Sequence, residues 1–350
     1  MTAFLVYGAT GYTGRLIVEE ALRAGLRPVL SGRNADAVRE LAGRFGLEAR
    51  PAALDDAAAL DVAMRGLRAV LHCAGPFHRT VEPMLEACLR NRVHYLDITG
   101  EIAVFERMAA SNVASRAAGI TLLPGVGFDV VPSDCLAAHL HERMPDAVAL
   151  ELAFTGGSGL SRGTATTMVE GIAQGGAVRR DCHIERVPAA YATRDIDFGD
   201  RVRHCVTIPW GDVSTAFHST HIPDIRVYTA VTPQAVRMMR LTRPILPLLG
   251  TAPFQRFMKA RIAARTPGPS AERRAGARSR LWGEVRDASG RVMQSRLVAP
   301  DGYSLTAMTA VAAAARVAAG GIATGFQTPS RAFGKDFILQ FPNTVREDLP

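Results

Sequence analysis

Lysine is almost missing from this chain. Of 41 basic residues only Lys259 and Lys335 are lysines, and arginine supplies the rest. Alongside the abundant alanine, this reads as the codon bias of a GC-rich genome, so the net charge of +8 is weak evidence about partners. It does not argue for nucleic acid, and at most it favours an anionic cofactor or an acyl-phosphopantetheine substrate. Cysteine is scarce: the five residues are scattered, odd in number and never in Cys-x-x-Cys, which implies reduced thiols and a cytoplasmic setting and excludes a disulfide scaffold. No apolar run is long enough for a transmembrane segment. The longest, Ala307 to Ile322, contains Arg316 and reads as a buried alanine-rich helix. An apolar strand starts almost at Met1, so no signal peptide of the usual form is expected.

Several catalytic signatures are also absent. Without Gly-x-Ser-x-Gly, a phosphate-loop lysine or His-Glu-x-x-His, hydrolase, NTPase and zincin chemistry are excluded. Neither lysine has a tyrosine four residues before it, which removes the short-chain dehydrogenase machinery. Cys182-His183, His204-Cys205 and His218-x-x-His221 fit no standard zinc spacing, so no metal is expected.

What is present begins at Gly8-Ala9-Thr10-Gly11-Tyr12-Thr13-Gly14. A strand-like run (Ala3 to Tyr7) precedes it, and a helix-like segment (Arg15 to Ala24) follows. Strand, glycine turn and helix in that order form a dinucleotide site: bare backbone lets a pyrophosphate approach, and the helix's first N–H groups face it. An NAD site would carry Asp or Glu at the end of the next strand, Pro28 to Arg33. Here Ser31-Gly32-Arg33 stands there, and a guanidinium clamps the 2′-phosphate of NADP, with a solvated arginine as the plain alternative.

Strands and helices alternate through residue 125, which predicts a doubly wound parallel Rossmann sheet. Its elements include a third strand at Glu48 to Arg50, a helix to Met64, and strands at Ala69 to Cys73, His94 to Asp97 and Thr121 to Leu123. A single helix is expected to run up to Ala118. Beyond that come β-rich runs without interleaved helices, predicting a second α+β domain on a largely antiparallel sheet. Helices are expected at Thr164 to Val178, Gln234 to Leu241 and Pro253 to Ala264, and a mobile loop at Pro267 to Ser279. The division is 1–134 for the NADP-binding domain, with the helix 303–322 returning to complete it. Residues 135–302 form the substrate and dimerisation domain, and 323–350 a C-terminal segment.

Candidate residues lie at the carboxyl ends of the strands, where open α/β sheets bind ligands. For the cofactor these are the seven residues Gly8, Ala9, Thr10, Gly11, Tyr12, Thr13 and Gly14, then Ser31, Gly32, Arg33, Asp55 and the loop Cys73, Ala74, Gly75, Pro76 and Phe77. Asp97 and Glu101 end the fifth strand, where Thr99 and Glu101 read equally well as a helix cap and first-turn acid. Gly125 to Asp129 joins the two domains. Ser161, Arg162 and Thr164 open a helix that is either a second anion site or an ordinary capped start. Tyr95, Glu101, Asp129, Arg162 and Thr164 are the catalytic candidates. The apolar-basic stretch Leu241 to Ile262 reads as a surface-packed helix pair, with contact to a carrier protein, an acyl chain or a membrane surface as alternatives.

Taken together, Gly8 to Gly14, Ser31-Gly32-Arg33, Cys73 to Phe77, Tyr95-Leu96-Asp97 with Gly100-Glu101, Pro124 to Asp134, Pro300 to Tyr303 and Thr328-Pro329 resemble the saccharopine dehydrogenase-like NAD(P)-binding oxidoreductases, which include trans-acting enoyl reductases. The resemblance implies a Rossmann domain, a second domain that covers the nicotinamide, and a homodimer. It implies an NADPH-dependent reductase acting on a C=C or C=N bond of a small-molecule or carrier-bound acyl substrate. An imine or amino-acid reductase is the alternative, and a non-catalytic NADP-binding regulator or peripheral membrane protein the alternative of another class.

Overall fold

The computed structural model describes residues 4–264 and 267–350. The chain forms two compact units, one of residues 4–131 and 303–332, the other of 132–302 and 333–350. The C-terminal segment 323–350 therefore divides between them.

The first unit begins β1 (Phe4–Tyr7), α1 (Tyr12–Arg23), β2 (Val29–Ser31), α2 (Ala35–Phe45), α3 (Ala57–Met64), β3 (Ala69–His72) and α4 (Phe77–Asn91). It continues with β4 (His94–Asp97), α5 (Ile102–Ala110), α6 (Asn112–Ala118) and β5 (Thr121–Leu123). Local chemistry sets the helix ends. Asn34 and Asp56 accept from Ala37 N at 3.1 Å and Ala59 N at 2.9 Å, capping α2 and α3. Strands β1 and β3 are buried at every position, as a parallel sheet covered on both faces requires.

The second unit holds α7 (Val131–Arg143), β6 (Ala147–Thr155), α8 (Arg162–Gly171), β7 (Gly176–Arg180), β8 (His183–Val187), β9 (Thr193–Asp197) and β10 (Val202–Thr207). After these come α9 (Asp212–Thr220), β11 (Asp224–Ala230), α10 (Pro233–Leu241), α11 (Leu246–Leu249), α12 (Ala252–Ala263), α13 (Ala271–Gly276), β12 (Arg278–Asp287) and β13 (Val292–Pro300). The chain then returns to the first unit with α14 (Gly302–Ala319) and β14 (Gly325–Phe326). It ends in the second unit with β15 (Val345–Leu349).

The first unit's sheet has the order β14-β5-β4-β3-β1-β2 and is parallel throughout, with β14 adding to the β5 edge. The expected return of the alanine-rich helix is observed. Thr309 Oγ1 donates to Val126 O at 2.8 Å, and Phe128 N donates to Thr306 Oγ1 at 2.9 Å. The second unit's sheet is mixed: most pairs are antiparallel, but β11 runs parallel to β6.

Four expectations change. The strand at Glu48 to Arg50 reduces to one bridge, Leu30 to Ala49. The helix up to Ala118 breaks at Ser111 into α5 and α6. The helix begun near Thr164 stops at Gly171, because Gly175 at φ +73° turns the chain and residues 176–178 are buried in β7. The expected loop Pro267 to Ser279 carries α13, capped by Ser270, and the start of β12. Strands β8 and β9 escaped notice because His183–Val187 and Thr193–Asp197 are polar, without the alternation that marks a half-buried strand.

Candidate functional site

The glycine turn is packed too closely for any side chain. Gly8 sits at φ +82°, and a Cβ there would lie 2.9 Å from Ala74 N. A Cβ on Gly14 would collide with the Gly8 carbonyl oxygen, so α1 seats directly on the turn. Gly11 N closes the turn onto Gly8 O at 3.0 Å, while Gly8 N and Ala9 N both donate to Ser31 O, at 2.9 and 3.2 Å. Helix α1 starts at Gly11 with no side-chain cap and no acid in its first turn. Its first amides and dipole face the end of the sheet without a counter-charge from the helix itself, which suits a diphosphate anion. Around this turn, Ala9 is buried, Thr10 and Thr13 are half-buried, and the Tyr12 ring meets Tyr303 edge-on at 5.1 Å.

Ser31 and Arg33, adjacent in sequence reasoning, have different positions. Ser31 is buried and donates to Arg50 O at 2.7 Å, so its hydroxyl braces the end of β2. Gly32 continues that brace by accepting from Ala52 N at 3.2 Å. Arg33 is exposed and makes no hydrogen bond or ion pair among the described residues. Asp55 is exposed too. Both act on Tyr7, whose hydroxyl donates to Ala52 O at 3.0 Å. Burial pushes the Tyr7 phenol up to about 12, Arg33 opposes this and Asp55 adds to it.

The loop after β3 lies against the glycine turn. Cys73 N donates to Tyr7 O at 2.8 Å, and burial pushes the Cys73 thiol up, which makes it inert. Gly75–Pro76 is a cis peptide bond, and Phe77 opens α4. Thr80 Oγ1 donates back to Ala74 O at 2.8 Å and contacts buried His72 Nε2 at 2.9 Å. Burial lowers the His72 pKa to about 3, so this imidazole stays neutral.

Glu101 anchors the same loop from the next strand. Its carboxylate accepts from Phe77 N at 2.8 Å and His78 N at 3.0 Å and meets His78 Nδ1 at 2.7 Å. It therefore caps α4, although it stands at the start of α5. Thr99 Oγ1 accepts from Glu101 N at 3.0 Å, so the expected Thr99 cap exists in part. Tyr95 is sealed in the core with its hydroxyl donating to Asp97 Oδ2 at 2.7 Å. Asp97 Oδ1 accepts from Thr99 N at 3.0 Å and Gly125 N at 2.8 Å, tying β4 to the loop after β5. Desolvation nevertheless raises Asp97 to about 6.

Asp129 lies over Gly100: a Cβ there would come within 2.9 Å of Oδ2. Burial, then the Glu101 charge, raises Asp129 to about 7. Tyr95, Asp97, Gly100, Glu101 and Asp129 thus gather at the carboxyl end of the first unit's sheet, beside the loop that contacts Gly8. Arg162 and Thr164 belong to the second unit. There Ser161 accepts from Thr164 N at 3.2 Å, the ordinary capped start, and Arg162 N donates to Pro267 O at 3.0 Å. Sequence reasoning missed His72, Thr80, Thr306 and Thr309. Only the threonine spacing on α14 hinted at a polar seam there.

Among the described residues no cluster of three or more His, Cys, Asp or Glu side chains could hold a metal, and no helix is long and apolar enough to cross a membrane.

A parallel sheet with a glycine turn at a bare helix start and a basic residue two positions past the second strand defines a dinucleotide-binding unit. Residues 4–123, which lie within the first unit, match the family described as the saccharopine dehydrogenase NADP binding domain. Among curated relatives, the human saccharopine dehydrogenase-like oxidoreductase is 26% identical over 160 residues, 40% of this chain and 37% of that protein. A trans-acting enoyl reductase of Mycobacterium tuberculosis is 32% identical over 148 residues, 40% of this chain and 35% of that protein. The matches thus span about a third of the relatives' length. Apo saccharopine dehydrogenase (L-Glu forming) from Saccharomyces cerevisiae superposes over 100% of both chains with a TM-score of 0.64 at 13% identity, so the fold is shared.

Proposed function

We propose that this chain is an NADPH-dependent oxidoreductase that reduces a C=C or C=N bond of a small-molecule or acyl substrate. The reading rests most on the glycine turn and uncapped α1 start, within a stretch that matches an NADP-binding family. The turn Gly8 to Gly14 would hold the diphosphate, Arg33 the 2′-phosphate, and the Cys73 to Phe77 loop would pass alongside. When bound, the reduced nicotinamide supplies the hydride, and the protein's task is to hold the acceptor and exclude water. The enoyl reductase relative favours an unsaturated acyl acceptor over an imine.

Asp129 is the group suited to deliver a proton. Its raised pKa keeps it partly protonated near neutrality, and it lies at the strand ends where ligands of open sheets bind. Tyr95, bonded to Asp97, and Glu101, bonded to the start of α4, have structural roles in this reading.

The test is calorimetric titration with NADPH and NADH, then turnover against enoyl-thioester and imine acceptors. Arg33→Asp should weaken NADPH roughly 10- to 100-fold, the worth of a charge-assisted contact, and NADH much less. Equal loss for both cofactors removes Arg33 as the clamp. Tight NADPH binding with no turnover of either acceptor class would indicate a non-catalytic NADP-binding protein.

A further inference from the structure

The second unit carries a surface that reduction does not explain. Between Asp224 and Glu272 the sequence has no acidic residue and eight basic ones. The described part of this stretch folds into α10, α11 and α12, and identifiable contacts hold α10 and α12 to the unit. Helix α10 is anchored by buried Val236, which joins Ala190 and Val206 in a small core. Arg243, just beyond it, donates to Ala189 O at 2.7 Å and Ala190 O at 2.9 Å. Helix α12 buries Ile262 and is anchored to α8 by Gln255 Nε2 donating to Val169 O at 2.7 Å and by a Lys259–Glu170 ion pair.

The remaining positions of these helices are both greasy and positive. Leu241 is 74% exposed, Leu248 63% and Phe257 57%, with Met238 and Ile245 also outside. Exposed arginines alternate with them: Arg237 and Arg240 beside Met238 and Leu241, Arg256 and Arg261 beside Phe257. Arg261 lies over the Phe257 ring at 5.8 Å, and Arg237 and Arg256 form no hydrogen bond or ion pair among the described residues. Scattered exposed leucines need no explanation, but this many in a short acid-free helical stretch do.

We propose that α10, α11 and α12 form a docking surface for the face of an anionic lipid bilayer. Long apolar side chains interleaved with arginines suit the headgroup boundary, where the apolar chains enter and the guanidiniums pair with lipid phosphates. A second copy of the chain is the poorer occupant. A two-fold contact would set one acid-free basic patch against its own image. An acidic protein would satisfy the charge but leave Leu241, Leu248 and Phe257 without a stated partner. The surface reads independently of the reductase assignment, so either conclusion stands if the other fails.

The experiment is flotation of the full chain with vesicles of phosphatidylcholine alone and of phosphatidylcholine mixed with phosphatidylglycerol. The protein should float only with the anionic vesicles, and high salt should release it. Replacing Arg237, Arg256 and Arg261 with Gln should weaken binding roughly 100-fold, and Leu241→Asp with Phe257→Asp should abolish it. Unchanged melting temperature and NADPH affinity verify that these variants fold, and Leu248→Ser serves as a milder apolar probe. The proposal is overturned if the anionic vesicles leave the protein behind, if neutral vesicles bind it equally, or if the Gln triple variant floats like the wild type. A change of oligomeric mass in the Asp variant, or loss of binding to an acidic carrier protein without loss of flotation, would equally overturn it.

Discussion

The Tyr95 hydroxyl donates to Asp97 Oδ2 across 2.7 Å, and both side chains are sealed in the core of the first unit. A tyrosine at a strand end beside a dinucleotide turn invites a catalytic role. This bond gives it a different one: it supplies the third donor to a buried carboxylate that also accepts from Thr99 N and Gly125 N. Tyr95→Phe should therefore cost about 1–3 kcal/mol of stability, the penalty for leaving a buried acceptor short of a partner. NADPH affinity and kcat should stay within a few-fold, and a collapse of kcat at unchanged melting temperature would refute the structural assignment.

Buried Asp97 and half-buried Asp129 set a pH dependence of known sign. Asp97 and Asp129 are raised to about 6 and about 7 in the fold, against a usual carboxylate value of about 4 in the unfolded chain. The native state holds their protons longer, so their contribution is full below about 4 and is lost as pH rises from there to about 6 for Asp97 and about 7 for Asp129. Each group adds a slope of at most about 1.4 kcal/mol per pH unit. Urea midpoints of the cofactor-free protein should fall across this window, and less steeply in Asp129→Asn. Parallel curves for the two proteins would remove Asp129 from the account.

Glycine positions in the first unit should respond oppositely to alanine. Gly14→Ala places a methyl against the Gly8 carbonyl and should cost about 1–3 kcal/mol while displacing the cofactor turn. Gly43, inside α2 with open space around its missing side chain, should tolerate the same change with a gain of about 0.4–1 kcal/mol. Thermal melts of the two variants, with NADPH titrations, check the contrast.

Glu101→Gln keeps the shape of the α4 cap but removes its charge from the helix's positive end. A loss of about 1 kcal/mol is expected, most visible at low salt, and Glu101→Ala should cost more. Loss of turnover at unchanged stability would instead place Glu101 in the chemistry.

Residues 8 to 14 were legible as a tight turn between strand and helix because all three lie within one short segment. The caps at Asn34 and Asp56 and the hairpin between β12 and β13 are likewise local features. Ser31 and Arg33 show where legibility ended. Both are polar residues at the end of one strand, yet one braces Arg50 and the other faces solvent, a difference set by pleat and neighbours. The same holds for Thr164, whose backbone amide meets the cap at Ser161.

By itself, then, the sequence determined the parallel first unit, its glycine turn and the basic residue that follows β2, since these depend on contacts between near neighbours. Only the tertiary structure decided that Glu101 caps a helix 24 residues earlier, that Tyr95 is tied to a buried carboxylate, and that Thr306 and Thr309 hold the loop at Val126 and Phe128. Those bonds join distant segments, and burial then sets which carboxyls keep their protons. Neither distance in space nor exclusion of water is written in local sequence pattern.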